Sequence, residues 1–287
     1  DIERAALLVS ELSRSGAVEE VYAFDPVSTR HSLEGVDLKR AVRTLGGVLR
    51  GQGSWLKGLR EGARLVAAGR DFAPDDAWSV HVACAGRSGA AGEADVAACR
   101  DIAAGLAAVE LPNSVPKAVR ADPFPAPQAL GPQGERWAAL NAKVAHSDAL
   151  ALIRDGQALL ASHAEAMREA GVWTTGLLIG ISNHAFSYEP VFRWYDAWLP
   201  LHRETVSPAT AKAHPEPAPN LAARELVHRV RAGMIDLFRR HGAASNQIGR
   251  SYPWLDAARP ETRRIVEMLK SGLDPRGVLN PGVLGLG

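Results

Sequence analysis

The chain of 287 residues is poor in the features that would place it quickly. It has two cysteines, Cys84 and Cys99, which make neither a disulfide framework nor a zinc knuckle. Each sits among apolar neighbours and is expected to be a small buried hydrophobe. Charge of one sign is also lacking: 33 basic against 32 acidic residues leave a net +1. Nothing therefore points to nucleic acid or another polyanion as partner. No apolar run approaches a membrane span, and residues 1–20 lack the apolar stretch of a signal peptide. No membrane partner is expected, and a cytoplasmic setting is the default. The nine histidines form no His-x-His or His-x-x-x-His cluster, so no metal is expected. Rossmann and phosphate-loop patterns are missing too. Gly46-Gly47 and Gly51-Gln52-Gly53 have no preceding strand and read as helix punctuation.

What is present is a globular composition, 46% hydrophobic and 23% charged, long enough to bury a real core. Residues 1–15 carry a helical stripe of Ile2, Ala5, Leu8, Val9 and Leu12, stopped by Gly16. Val18–Phe24 and Trp78–Ala85 read as strands. Helices are expected over 37–49, 54–68 and 92–106, and a short strand over Ala108–Leu111. Prolines cluster in two loops, 112–134 and 204–219, the second with the composition of a disordered segment. Between them, Glu135–Ala170 carries helical periodicity up to Gly171, and Trp173–Ile181 with Phe186–Tyr195 forms a hairpin around Ser182-Asn183-His184. Pro190, unable to donate to a ladder, argues for an edge or a bulge there. Leu221–His241 is the longest amphipathic helix. A last helix starts at Pro260, with Ile265 and Leu269 expected inward. Strands and helices mixed in this way indicate an α+β fold.

Two stretches near the end carry a resemblance. Asp274-Pro275-Arg276-Gly277 has the residues of a type I turn, and Asn280-Pro281-Gly282 those of a type II turn. Together they fold the tail back onto a surface. One helix earlier comes Gln247-Ile248-Gly249-Arg250-Ser251-Tyr252-Pro253. In this order the two segments resemble the closing part of the FAD-linked oxidases of the vanillyl-alcohol oxidase and p-cresol methylhydroxylase family, whose last helix ends in a DPxGxxNPG tail. Ile181–Trp194 is the third stretch that carries it. The likeness runs along the chain in order and covers that family's substrate, or cap, domain. It implies ferredoxin-like halves sharing an antiparallel sheet covered by helices, with residues 1–287 as a single cap domain. FAD is the implied cofactor. The flavin-binding domain is absent from this chain and is the implied partner, in the same longer protein or on a separate polypeptide. The implied activity is oxidation of a small alcohol, phenol or hydroxy acid by hydride transfer to flavin, with this chain inactive alone. A homodimer is compatible with that reading. The residues also fit a non-catalytic α+β ligand-binding or subunit-interaction module.

Arg250 and Tyr252 are the first catalytic candidates, because a guanidinium and a phenol stabilise an anionic substrate oxygen. Phenol-oxidising relatives carry an adjacent Tyr-Arg pair; here the order is Arg250-Ser251-Tyr252. Gln247 is a candidate for substrate, and Asn246 and Asn280 for the flavin. By period two, Phe186, Tyr188, Phe192 and Trp194 share one face, as a core stripe or as a wall for an aromatic substrate. Glu189 and Arg193 lie on the opposite face, as an ion pair or for acid/base work. The hydroxy-acid dehydrogenases of the family carry a His-x-Gly-x-Gly-Asn motif. At that place this chain has Ile181-Ser-Asn-His-Ala185, so their metal is not expected.

Overall fold

The computed structural model describes residues 1–34, 76–111 and 129–286. The helices expected over 37–49 and 54–68, the Gly46-Gly47 and Gly51-Gln52-Gly53 segments and most of the 112–134 loop lie outside the described residues. The strands are β1 (Glu20–Phe24), β2 (Ser79–Ala83), β3 (Arg136–Ala139), β4 (Ala142–Val144), β5 (Val172–Ile181) and β6 (Ala185–Trp194). The helices are α1 (Ile2–Ser15), α2 (Pro26–Glu34), α3 (Gly89–Gly105), α4 (Ala149–Ser162), α5 (Ala164–Glu169), α6 (Pro200–Thr205), α7 (Pro208–Ala213), α8 (Leu221–Arg240), α9 (Trp254–Ala257) and α10 (Pro260–Leu273). This is an α+β fold with one antiparallel sheet in the order β2-β1-β5-β6-β3, β4 pairing with β6 on the same side as β3. Among the described residues no helix is long and apolar enough to cross a membrane.

Period-two alternation builds the core. The β5–β6 hairpin pairs along its whole length, Val172 opposite Trp194 through Ile181 opposite Ala185. Phe186, Tyr188, Phe192 and Trp194 therefore point one way, with Leu178 of β5 and Val21 and Ala23 of β1, and all are buried. Helix α1 packs on β1 and β5, α4 on β6, and α8 on α4. The α8 stripe of Leu226, Val230, Met234, Leu237 and Phe238 is buried at helical spacing. Burying each such side chain contributes about 1.5–3 kcal/mol. Gly180 lets α1 approach the hairpin, since a Cβ there would fall 2.5 Å from Ser13 Oγ and 2.6 Å from Val21 Cγ1.

Four expectations are corrected. Ala108–Leu111 is not a strand: after α3 the chain turns through Ala107 at φ 51, and Val109 is 82% exposed with no strand paired to it among the described residues. Glu135–Ala170 is not one helix. Residues 136–144 pair with β6 as β3 and β4, tertiary pairing overriding the helix propensity of an alanine-rich run. Residues 204–219 include helix α7, with Ser207 accepting from Thr210 N and Pro208 in its first turn. Ile265 and Leu269 do not face inward: α10 has no buried residue.

The opposite face of the sheet buries His81, which hydrogen-bonds Ser79 Oγ at 3.0 Å and stacks on Tyr22. Burial pushes its imidazole down to about 4 from 6.5. A folded value below the unfolded one means the fold needs the neutral ring. The resulting stability is present above pH 6.5 and is lost as pH falls toward 4. We predict that the wild type loses about 3 kcal/mol more over this range than His81→Gln, measured by urea denaturation at each pH. Parallel pH profiles of the two proteins would contradict this.

Candidate functional site

The site is built on an edge of the sheet that proline interrupts. Strands β3 and β4 pair with β6 in one continuous register, Ala139 opposite Val191 and Ala142 opposite Tyr188. Leu140 thus faces Pro190, and its N–H donates to the Pro190 carbonyl at 3.0 Å. The return bond cannot form, because proline has no N–H. The proline lies inside the sheet, where its missing donor breaks one edge strand in two. The neighbouring amides, Asn141 and Lys143, point away from β6, and in a buried place they need acceptors. Both find them in the chain that follows α8. Lys143 exchanges two backbone bonds with Ala244, 2.7 and 2.9 Å. The Asn141 N–H donates to the Tyr252 hydroxyl at 2.7 Å.

Asn141 also holds the loop with its side chain. Its Oδ1 accepts from Asn246 N at 2.7 Å and its Nδ2 reaches Gln247 Oε1 at 3.4 Å. The tail closes over the other side of that loop. Both expected turns form, with Gly277 N donating to Asp274 O and Val283 N to Asn280 O. Leu284 N then donates to Gly249 O at 2.9 Å, and a Cβ at Gly282 would lie 3.7 Å from Arg250 Nε. Buried Asp274 accepts from Val278 N, Leu279 N and Lys270 Nζ, and the Lys270 bond is the main cause that holds its carboxyl below the ordinary 3.8.

Under the loop lies a group of ionisable side chains. By strand alternation Asn141, Lys143, Ser187 and Glu189 share the sheet face opposite the core. Burial raises the Glu189 carboxyl, with Lys143 pulling it back, and burial lowers the Lys143 ammonium. Burial likewise raises the Tyr252 phenol, which the Asn141 bond and Arg231 oppose and Glu189 reinforces. Arg231 of α8 is itself lowered by burial. Lys143 Nζ and Arg231 Nε are buried with no hydrogen-bond partner among the described residues. Because Tyr252 accepts from Asn141, its own O–H is left to donate. Two buried cationic nitrogens and a phenol donor fit an anionic oxygen.

The structure brings together Tyr252, Gln247, Asn246 and Glu189. Arg250 is exposed and lies against the tail near Gly282. Asn280 is exposed in the tail turn at φ 46. Tyr188, Phe192 and Trp194 are in the core, whose buried cluster also takes in Tyr252; Tyr188 takes a bond from Gln157 and borders a cavity of about 160 Å³. Arg193 is not paired with Glu189. It donates to Glu135 at 2.6 Å and to Thr175 at 3.0 Å, because fully buried Glu135 reaches it from the turn before β3. Sequence reasoning missed Asn141, Lys143 and Arg231. No sequence signal marked them, because which run borders Pro190 is decided only by the closed sheet.

The glycine-bearing strand-to-helix connection, Gly86–Gly92 between β2 and α3, uses its bare backbone for loop–helix packing: a Cβ at Gly86 would fall 2.1 Å from Gly92 N, so Gly86 is not free to form a pyrophosphate nest. No cluster of three or more His, Cys, Asp or Glu side chains fit to hold a metal occurs among the described residues.

Removing the loop's anchor tests this geometry. Tyr252→Phe leaves the Asn141 N–H buried without an acceptor. We predict a loss of about 1–3 kcal/mol in urea denaturation and faster exchange of that amide; unchanged stability and exchange would mean the bond is not formed. For the tail, Asp274→Asn, or wild type once pH has fallen through the lowered carboxyl value below 3.8, should raise amide exchange at Val278 and Leu279 by about tenfold. The charged carboxyl holds the tail fully above pH 3.8 and releases it only as pH falls through that lowered value.

No protein-family model matches the chain, and no curated protein matches it. Among solved structures it is similar to alkyldihydroxyacetonephosphate synthase in two crystal forms, at 13% and 12% identity and TM-scores of 0.46 and 0.47. Each match covers 97% of this chain and 42% of that one. It is also similar to a 4-ethylphenol oxidase from Gulosibacter chungangensis in complex with isoeugenol, at 13% identity and TM-score 0.40, over 99% of this chain and 52% of the other. The chain thus spans about half the length, or less, of these matched structures.

Proposed function

We propose that the chain is the substrate-binding part of an FAD-dependent oxidoreductase acting on a small alcohol, phenol or hydroxy acid, completed by a flavin-holding unit. The observation that carries this reading is the pair of buried cationic nitrogens without a hydrogen-bond partner among the described residues, Lys143 Nζ beside Glu189 and Arg231 Nε near Tyr252, Arg231 reaching only the Ala139 carbonyl through Nη2 at 3.5 Å. Such groups are costly unless a ligand satisfies them. A substrate with an anionic or developing anionic oxygen, a phenolate or a carboxylate, does so. Lys143 and Arg231 supply charge, the Tyr252 hydroxyl donates, and Gln247 at the loop surface orients the rest of the molecule. Glu189, with its raised carboxyl, is placed to hold a proton on the same face. Flavin, when brought by the neighbouring unit, supplies the hydride acceptor. Asn246, Arg250 and Asn280 lie on the exposed side of the loop and tail, where that unit would meet the chain.

One feature favours a second reading, a subunit-interaction module without catalysis. Helix α10 presents Ile265, Met268, Leu269 and Leu273 along one stripe, all exposed, Ile265 by 57% and Leu273 by 76%. Val278 and Leu279 of the tail and Ile248 of the loop are exposed as well. Exposed apolar surface of this kind marks an interface, and both readings require one.

Kinetics separates them. In the protein's native gene context, Lys143→Met or Arg231→Met should slow reduction of bound flavin by substrate by more than about tenfold, with flavin content and melting temperature kept. Unchanged reduction rates would leave only the interaction module. Stoichiometric FAD retained by residues 1–287 alone would overturn the division of labour.

A further inference from the structure

The two cysteines face each other. Strand β2 ends at Ala83, and Cys84 begins the loop that leads through Ser88, the N-cap, into α3. The close packing of Gly86 on Gly92 folds that loop back along the helix. It brings Cys84 Sγ to 3.8 Å from Cys99 Sγ. Both thiols are free, and a bond near 2 Å requires the sulfurs to close by only about 2 Å, within reach of side-chain rotation.

The environments of the two differ. Cys84 is half-buried and lines a cleft of about 630 Å³ with Gly89, Gly92, Glu93, Val96 and Arg100. Cys99 is 8% exposed and is not part of that lining. Burial, with Cys84 beside it, pushes the Cys99 thiol up to about 12. An oxidant entering the cleft therefore meets Cys84, and Cys99 waits behind it as a protonated thiol.

We propose that Cys84 and Cys99 form a reversible dithiol–disulfide site, with Cys84 the thiol that reacts with hydrogen peroxide and Cys99 the one that resolves it. The Cys84 thiolate attacks one peroxide oxygen. The O–O bond breaks, and Cys84 becomes a sulfenic acid as hydroxide leaves and is protonated to water. Cys99 sulfur then attacks Cys84 sulfur. The S–S bond forms, the S–O bond breaks, and the departing hydroxide takes the Cys99 proton to give a second water. Two thiols are oxidised and one peroxide is reduced by two electrons. The product joins the end of β2 to the middle of α3. The inference is independent of the proposed function.

Hydrogen peroxide on the intact chain tests it. The wild type is expected to become two hydrogens lighter by intact mass, to remain the same oligomer on non-reducing gels, and to lose both alkylatable thiols after unfolding. Dithiothreitol should restore both. Cys99→Ser should stop at a sulfenic acid on Cys84, trapped by dimedone, and in Cys84→Ser the Cys99 thiol should react at least about tenfold more slowly. Two intact thiols in the treated wild type, a disulfide only between chains, or equal reaction of Cys99 in Cys84→Ser would overturn the proposal. The wild-type mass decides even where a variant fails to fold.

Discussion

An unpaired sheet edge governs the site. On the edge strand that borders Pro190, alternation turns the amides of Asn141 and Lys143 away from β6, and buried backbone donors do not go unsatisfied. The chain after α8 answers both, Ala244 with its carbonyl and Tyr252 with its hydroxyl. That requirement fixes the path of residues 244–252. It also aims the Tyr252 ring inward and leaves Arg250 outside, and it gives the tail a surface to return to through Leu284 and Gly249. A loop that would otherwise be free is held at three points by Asn141.

The treatment of buried charge elsewhere in the molecule sets this region apart. Fully buried Asp196 receives Arg136, two bonds from Arg224, the Trp194 ring N–H and the Asn220 amide. Burial works to raise its carboxyl, but those donors together hold it well below the carboxylate range. They also lock the start of α8 to the end of β6. Buried Glu135 is matched by Arg193 and the Gln133 amide. Against these two, Lys143 Nζ and Arg231 Nε have no hydrogen-bond partner among the described residues, Arg231 reaching only the Ala139 carbonyl through Nη2. On the proposed reading a ligand oxygen takes that place.

Much of this was legible in the chain. Phe186, Tyr188, Phe192 and Trp194 alternate too regularly to be anything but one face, and Asp274-Pro-Arg-Gly and Asn280-Pro-Gly turn as their residues require. The segment 136–144 was not legible, because Trp-Ala-Ala-Leu-Asn-Ala-Lys favours a helix locally and becomes a strand only through a partner fifty residues away. With that strand hidden, Asn141 and Lys143 had no reason to be singled out. Pro190 pointed to an irregular pairing, but which segment would border it depends on the closed sheet. Helix α10 shows the converse. Its stripe of Ile265 and Leu269 has the periodicity of a core-facing helix, yet both residues are exposed, so periodicity alone does not decide which face is buried.

The most direct measurement is a crystal structure of the protein, in its native gene context, with a small aromatic carboxylate or phenolate bound. An anionic oxygen is expected within about 3 Å of the Tyr252 hydroxyl and of Lys143 Nζ or the Arg231 guanidinium. A ligand bound elsewhere, with Lys143 and Arg231 hydrogen-bonded only to ordered water, would contradict it.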